Sequence, residues 1–308
     1  MKFELPLGDL VEAAVEFLMR HAQWLFDAIE IVVGGVADGI GAALGFPPGV
    51  VLAGLIVGLA FYRVGWKFAV FAAAALAVIF ALGLWRHTVD TLTLVLTATV
   101  IALILGVPLG VAAGRSDRIE SALRPMLDLM QTMPAFVYLI PAAMFFGLGK
   151  VPGVIATIVF ALPPVVRLTS LGIRQVPDEL VEAGLAFGCT SRQLLFKVQI
   201  PTALPSIMAG VNQTIMLALS MVVIASMIGA GGLGNQVLRG IQRLDIGLGF
   251  ESGLAVVLVA ILLDRITQSF GKPRTRSARA TARSSAVPGK EKESADRRAV
   301  MQPAEPGA

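Results

Sequence analysis

Pro177-Asp178-Glu179-Leu180-Val181-Glu182-Ala183-Gly184-Leu185-Ala186-Phe187-Gly188 lies between two strongly apolar stretches, and the segment it opens closes at Ile200-Pro201. Lipid punishes such a run of charge, so the segment lies in water. It is also too regular for a plain connector. Pro177-Asp178 reads as a helix start, with Asp178 placed to cap free amides. Gly188 reads as the stop. Thr190 opens a second short helix, with Gln193 three residues on as in a capping box. Pro201 reads as the end of that helix. Two short helices joined at a glycine make a stiff protrusion, a place where a soluble partner can push.

The rest of the chain supplies the membrane around it. Of 308 residues, 56% are hydrophobic and 15% charged, with a mean hydropathy of +0.79. A soluble domain carries roughly a quarter charged residues. Apolar runs of 18 or more residues recur, enough to cross ~30 Å of hydrocarbon. The fold class is all-α, a polytopic helical membrane protein. The lone Cys189 excludes an internal disulfide and a multi-cysteine metal site; it reads as a small packing residue in a turn. Met1-Lys2-Phe3-Glu4 lacks a basic region followed by an apolar run, so no cleavable signal peptide is expected.

Spans are expected at 48–62, 66–85, 88–113, 125–148, 151–171, 203–230 and 248–264, about seven transmembrane helices. Pro125, Pro134 and Pro141 should kink or break the fourth. Gly106, Gly110 and Gly114 form a small-residue stripe on the third, suited to close helix packing. Residues 1–30 read as an amphipathic helix, on the membrane surface or packed on the rest of the protein. Residues 34–48 are glycine-rich and read as a loop or re-entrant turn. The organisation is then an external arm over 1–47, two N-terminal spans over 48–87, a core over 88–268 with the protruding loop at 172–202, and a basic, disordered tail over 269–308.

Charge orients this scheme. Arg63 and Lys67, then Arg115, Arg118 and Arg124, then Arg167, Arg174, Arg192 and Lys197 fall on one face if the spans number seven. Residues 265–308 add ten basic side chains against four acids on that face, while the arm through residue 48 carries two basic and seven acidic residues. With Arg86, Lys150, Arg239 and Arg243 as exceptions on the other face, the N-terminus is expected outside, and the protrusion and C-terminus in the cytoplasm. Trp24, Trp66 and Trp85 suit interface anchoring.

Glu182-Ala183-Gly184, three residues, Gly188, nine residues, Val198, one residue, Ile200-Pro201 resembles the EAA loop of ABC importer permeases. The family pattern has Ala where Gly184 stands, and Ile and Leu where Val198 and Ile200 make conservative swaps. Gly184 weakens a helix by up to about 1 kcal/mol relative to Ala. The likeness extends over roughly residues 88–268. Asp128 through Leu139, Val211 through Ile228 and Arg239 through Asp245 resemble the glycine betaine/proline importer permeases of the osmoprotectant-uptake branch. The resemblance implies a type I ABC importer permease fold in the cell inner membrane. It implies a coupling helix that docks into a cytosolic ATPase subunit, through Glu182, Ala183, Gly184, Phe187, Gly188, Arg192 and Pro201. It also implies an extracytoplasmic substrate-binding protein as partner and a homodimer of permease subunits. ATP and Mg belong to the ATPase, with no cofactor bound by this chain.

The residues themselves agree with borrowed energy. No Gly-x-x-x-x-Gly-Lys-Ser/Thr run occurs, so the chain is expected not to be an enzyme. Gly229-Ala230-Gly231-Gly232-Leu233-Gly234 matches Gly-x-Gly-x-x-Gly by spacing, but it follows an apolar span rather than a strand; it reads as a flexible turn for an outer gate. Leu180, Val181, Leu185, Phe187 and Leu195 offer apolar knobs, and Glu182 and Arg192 offer charge for a rim. Within the spans, Gln131, Thr132, Asn212, Gln213, Thr214, Ser220 and Ser226 are polar side chains that face either a path or a neighbouring helix. Gln131, Thr132, Asn212, Gln213 and Ser220 are the path candidates, with Asn212 and Ser220 near one helix face. The alternative is an ion-coupled secondary transporter of a small zwitterion. It calls for mid-span carboxylates or inverted repeats, and neither is evident; Asp128 and Asp264 sit near span ends. No nucleic-acid contact is expected, and membrane lipid surrounds the chain.

Overall fold

Apolar residues at helical spacing build every element in the computed structural model, which describes residues 7–271 of the chain. Strands are absent among these residues. The helices are α1 (Leu7–His21), α2 (Gln23–Gly45), α3 (Gly49–Arg63), α4 (Trp66–Ala81), α5 (Trp85–Arg115), α6 (Asp117–Thr132), α7 (Leu139–Phe146), α8 (Lys150–Arg174), α9 (Asp178–Ala186), α10 (Ser191–Leu194), α11 (Ile200–Ser226), α12 (Gly232–Arg243) and α13 (Ile246–Gly271). A 3₁₀ turn (Ala135–Tyr138) precedes α7, and a π turn (Leu195–Gln199) joins α10 to α11. Contacts divide the chain at Gly271, and Lys272–Ala308 lies outside the described residues. The expected disordered tail falls there, except that residues 269–271 still belong to α13.

The core is α5, α8 and α11. The glycine stripe of α5 serves helix packing: a Cβ on Gly110 would come within 2.6 Å of Thr169 Cβ, and one on Gly114 within 2.8 Å of Ile173 Cβ. Bare backbone at these sites lets α5 and α8 touch along their length. Val95, Ala161, Ala218 and Val222 lie between the three helices, each 1% exposed or less.

Among the described residues, five helical stretches are long and apolar enough to cross a membrane, or six if a bent pair counts as one: α2, α5, α8, α10 through α11, and α13. The bent pair is α6 with Ala135–Phe146, which meet at 108°. Of the three prolines expected to disrupt this span, Pro134 marks the break. Pro125 is carried inside α6, and Pro141 sits in the first turn of α7, where the missing amide costs nothing. The expected first and second spans are α3 and α4, of 15 and 16 residues. At 1.5 Å per residue they reach roughly 22–24 Å, short of the ~30 Å core. They pack on each other and on α13 through Ala60, Ala72, Leu76, Ala255 and Val259.

The arm departs from expectation. It is two helices broken at Ala22, and the glycine-rich stretch is helix through Gly45 rather than a loop. Val33 and Ala37 are buried, with Ile40, Gly41 and Leu44 half-buried behind them, so the helical period runs straight through the glycines. Glycine is tolerated in apolar helices when neighbours fix the backbone. α2 passes the length test, yet it touches only one end of the core. Phe26 stacks on Phe145 at 4.5 Å, Gly34 lies beside Val151 and Gly41 beside Thr93. α2 therefore lies across the end that carries α12.

That end is knitted tightly. Thr91 Oγ1 accepts from the Leu233 amide at 2.8 Å, and Gln236 Nε2 lies 2.8 Å from His87 Nε2. Gly229, Gly231 and Gly232 have positive φ, and Gly149 N–H donates to Ile228 O at 2.8 Å. The glycine turn expected to be flexible is a packed corner in which Gly232 and Gly234 are buried. Its glycines supply close approach.

Candidate partner-docking site and polar path

At the opposite end, α8 runs out at Arg174 and the chain turns through a buried Val176 into α9. Asp178 is not the cap: Pro177 holds the N-cap position, and Asp178 and Glu179 occupy the first turn, where their charge meets the positive end of the helix. The stop is as expected. Gly188 has φ +75°; its amide donates to Leu185 O at 2.9 Å, and the Cys189 amide donates to Gly184 O at 3.0 Å. These two bonds form a Schellman motif, and the free Cys189 sits half-buried in the turn. The Thr190 box is also present, with the Gln193 amide donating to Thr190 Oγ1 at 3.3 Å and the Thr190 amide to Gln193 Oε1 at 2.9 Å.

Pro201 does not end the second helix. The π turn Leu195–Gln199 carries it into α11, giving one continuous stretch from Ser191 to Ser226. The wider turn precedes the ring at the place where an α-turn would press it against a carbonyl. The protrusion is thus fused to a core span on one side.

Side-chain exposure sorts the knobs. Leu180, Leu185 and Phe187 are exposed, Phe187 at 90%, and Glu182, Ala183 and Arg192 are exposed beside them. Leu195 is not a knob; it is buried with Ile173, Ala203 and Ile207 and anchors the protrusion. Phe196, 65% exposed, joins the exposed set; its place in the π turn hid it from α-helical spacing. Gly184 is buried, and a Cβ there would meet Leu194 Cδ1 at 2.8 Å. Gly184, one of the residues that depart from the EAA pattern, is thus the one on which α9 rests.

The path candidates separate. Asn212 turns toward α13: its Nδ2 donates to Asp264 Oδ1 at 3.0 Å, and Thr267 Oγ1 donates to its Oδ1 at 2.8 Å. Gln268 Nε2 completes the clasp on Asp264 at 2.7 Å. Asn212 and Ser220 therefore do not share a face. Ser220 instead lines up with Ala209, Gln213 and Met216, all exposed on α11. Thr214 is fully buried, and Ser226 is spent on Val223 O at 2.6 Å. Gln131 and Thr132 are exposed at the end of α6, beside the break. The break and the Met221 turn of α11 share one apolar cluster with Tyr138 and Leu139. Among the described residues, no group of three or more His, Cys, Asp or Glu side chains is placed to hold a metal.

Fold and site define an integral-membrane permease of the type I importer class. Solved structures of the MetNI methionine ABC transporter in inward-facing conformations share this fold; one has a TM-score of 0.53 at 21% identity and covers 60% of this chain and 94% of that one. The chain belongs to the family of binding-protein-dependent transport system inner membrane components, whose family model matches residues 106–272. Among its relatives is the glycine betaine/proline betaine transport system permease protein ProW of Escherichia coli (strain K12). It is 48% identical over 274 residues, which make up 87% of this chain and 76% of that protein. The glycine betaine/carnitine transport permease protein GbuB of Listeria monocytogenes is 50% identical over 272 residues, 87% and 96% of the two chains.

Proposed function

We propose that this chain is the transmembrane subunit of an ATP-driven importer of compatible solutes of the glycine betaine and proline class. ATP and Mg are bound by a separate cytosolic ATPase subunit, and an extracytoplasmic binding protein delivers the solute. Two copies form the pore, with the α12 end and N-terminus outside and α9 and the C-terminus in the cytoplasm. The observation that carries the reading is α9. It is a helix closed at Gly188 by the Schellman turn, fused through the Thr190 box and the π turn to a core span, and it presents Leu180, Leu185 and Phe187 to water. Exposed apolar groups on a stiff helix suit a groove on a partner. Glu182 and Arg192 supply the charged rim, while Gly184, Ala183, Gly188 and Pro201 set the shape.

Nucleotide closing the ATPase pair moves α9, and the spans rock between inward and outward states because the nucleotide binds one state better. The solute passes Gln131 and Thr132 at the α6 break and Gln213 and Ser220 on the exposed face of α11. Gln131 and Gln213 are exposed without a protein partner among the described residues, as path-lining amides must be to meet a solute. The test is co-reconstitution of the chain with its ATPase subunit and binding protein in proteoliposomes. Uptake of labelled glycine betaine that requires ATP supports the reading. Uptake that survives omission of the ATPase and collapses with a protonophore overturns it in favour of ion coupling.

A further inference from the structure

Arg174 is the last residue of α8, three positions before Pro177 and the start of α9. Its guanidinium makes three contacts that leave its own helix. Nη2 donates to the Ala113 carbonyl at the end of α5 at 2.8 Å. Nη1 pairs with Asp117 Oδ1 at 2.6 Å, and Nη2 with Glu120 Oε2 at 2.8 Å. Asp117 and Glu120 stand in the first turn of α6. The side chains are 32%, 89% and 43% exposed, so solvent screens these pairs and they add little to stability. Each pair alone is worth little, but three acceptors held by one planar arginine fork form a network, the case in which surface ion pairs do fix geometry.

The clamp joins a rigid pair to a loosely seated helix. α5 and α8 are in close contact up to Gly114 and Ile173. α6 leans on α5 and α8 through one apolar patch, Leu123, Leu127 and Met130 with Val107, Leu162 and Val166, flanked by the Arg174 clamp and by a second ion pair, Arg167 with Asp128. A cleft of about 340 Å³ lies between the two helices. The far end of α6 is the break at Pro134, where Gln131 and Thr132 stand exposed.

We infer that Arg174 is a positioning residue for transport, the joint that passes movement of the α9 protrusion to α6 and so to the broken span. On the permease reading, which this inference takes as its premise, displacement of Pro177 reaches Arg174 through the buried Val176. Arg174 draws Asp117 and Glu120 with it, and the α6 break follows. Arg124 lines the same cleft, without an ion-pair partner among the described residues. It lies four residues from both Glu120 and Asp128 on α6, a spacing at which opposite charges meet. When α6 parts from α8, Arg124 receives both carboxylates.

The experiment compares glycine betaine uptake per ATP hydrolysed in proteoliposomes holding the full complex of this chain, its ATPase and its binding protein. Failure of the wild-type complex to take up solute with ATP contradicts the permease reading itself and leaves the clamp geometry standing. With an active wild type, Arg174→Gln is expected to hydrolyse ATP while uptake per ATP falls about tenfold, a coupling of ordinary size. Arg174→Lys, with one point charge in place of a fork, is expected between the two. The double change Asp117→Ala with Glu120→Ala removes the two α6 acceptors, both at solvent-reached positions, and it is expected to reproduce the Gln effect. An uptake-to-hydrolysis ratio equal to wild type in Arg174→Gln and in the double variant overturns the inference. So does a parallel fall of uptake and hydrolysis, which is the mark of a merely structural pair.

Discussion

Gly184 rests on Leu194: a Cβ on the glycine would stand 2.8 Å from Leu194 Cδ1. This contact sets how α9 lies on the rest of the protrusion. The obstructing atom is the far end of a flexible side chain, so one methyl group is accommodated, and Ala gains up to about 1 kcal/mol of helix propensity. Gly184→Ala is therefore expected to retain ATP-driven uptake. Gly184→Phe must lift α9 off Leu194 and is expected to abolish uptake while the chain still inserts, as measured by uptake and by membrane content.

Gly188 poses a different constraint. No atom lies within 4 Å of a Cβ built there, but φ is +75°. The penalty for a side chain is conformational, roughly 1–2 kcal/mol, and it is greatest for β-branched residues. Gly188→Val is expected to loosen the Schellman turn and uncouple hydrolysis from uptake, whereas Gly188→Asn, which tolerates this region, keeps most of the activity. Equal uptake by the two variants would contradict the backbone explanation.

Phe187 is 90% exposed, so Phe187→Ala changes stability of the isolated chain by no more than about 0.5 kcal/mol. If the ring fills a groove on the ATPase, its loss costs about 2 kcal/mol of association, roughly thirtyfold. Titration of detergent-solubilised chain with the ATPase subunit reads this directly. Unaltered affinity would remove Phe187 from the contact.

Asn212 and Gln213 are neighbours in sequence with different surroundings, Asn212 bonded to Asp264 and Gln213 exposed. Asn212→Leu breaks the clasp on Asp264 and Thr267 and is expected to cost about 0.6–1 kcal/mol of thermal stability. Gln213→Leu leaves the clasp intact. It is expected to slow uptake by up to about tenfold through loss of one hydrogen bond to the solute. A melting curve and an uptake rate for each variant separate the two effects.

The helices, the Pro134 break, the Gly106-Gly110-Gly114 stripe and the caps at Gly188 and Thr190 were legible because each follows from local chemistry: period, ring geometry, missing Cβ, side-chain reach. The error at α2 has a physical cause. Glycine in a sequence reads as a breaker, but close neighbours such as Thr93 and Val151 hold the helix together. Pro201 misled for a similar reason, since a π turn is invisible to a rule written for α-helices. Asn212 and Gln213 both qualify as buried-span polar residues; only the position of α13 decides which one is occupied. The Arg174 clamp joins residues 54 to 61 positions apart, and no sequence spacing announces such a contact.

The central claim is that α9 is a cytosolic surface on which a partner sits. The single native cysteine makes it testable, because Cys189→Ser leaves a background without thiols, and Ala186→Cys then adds one at an exposed position of α9 that keeps the Phe187 ring. A membrane-impermeant maleimide is applied to intact cells and to inside-out vesicles, with and without the ATPase subunit. The expected result is labelling only in inside-out vesicles, and protection when the ATPase is bound. Labelling in intact cells, or labelling indifferent to the ATPase, contradicts the account.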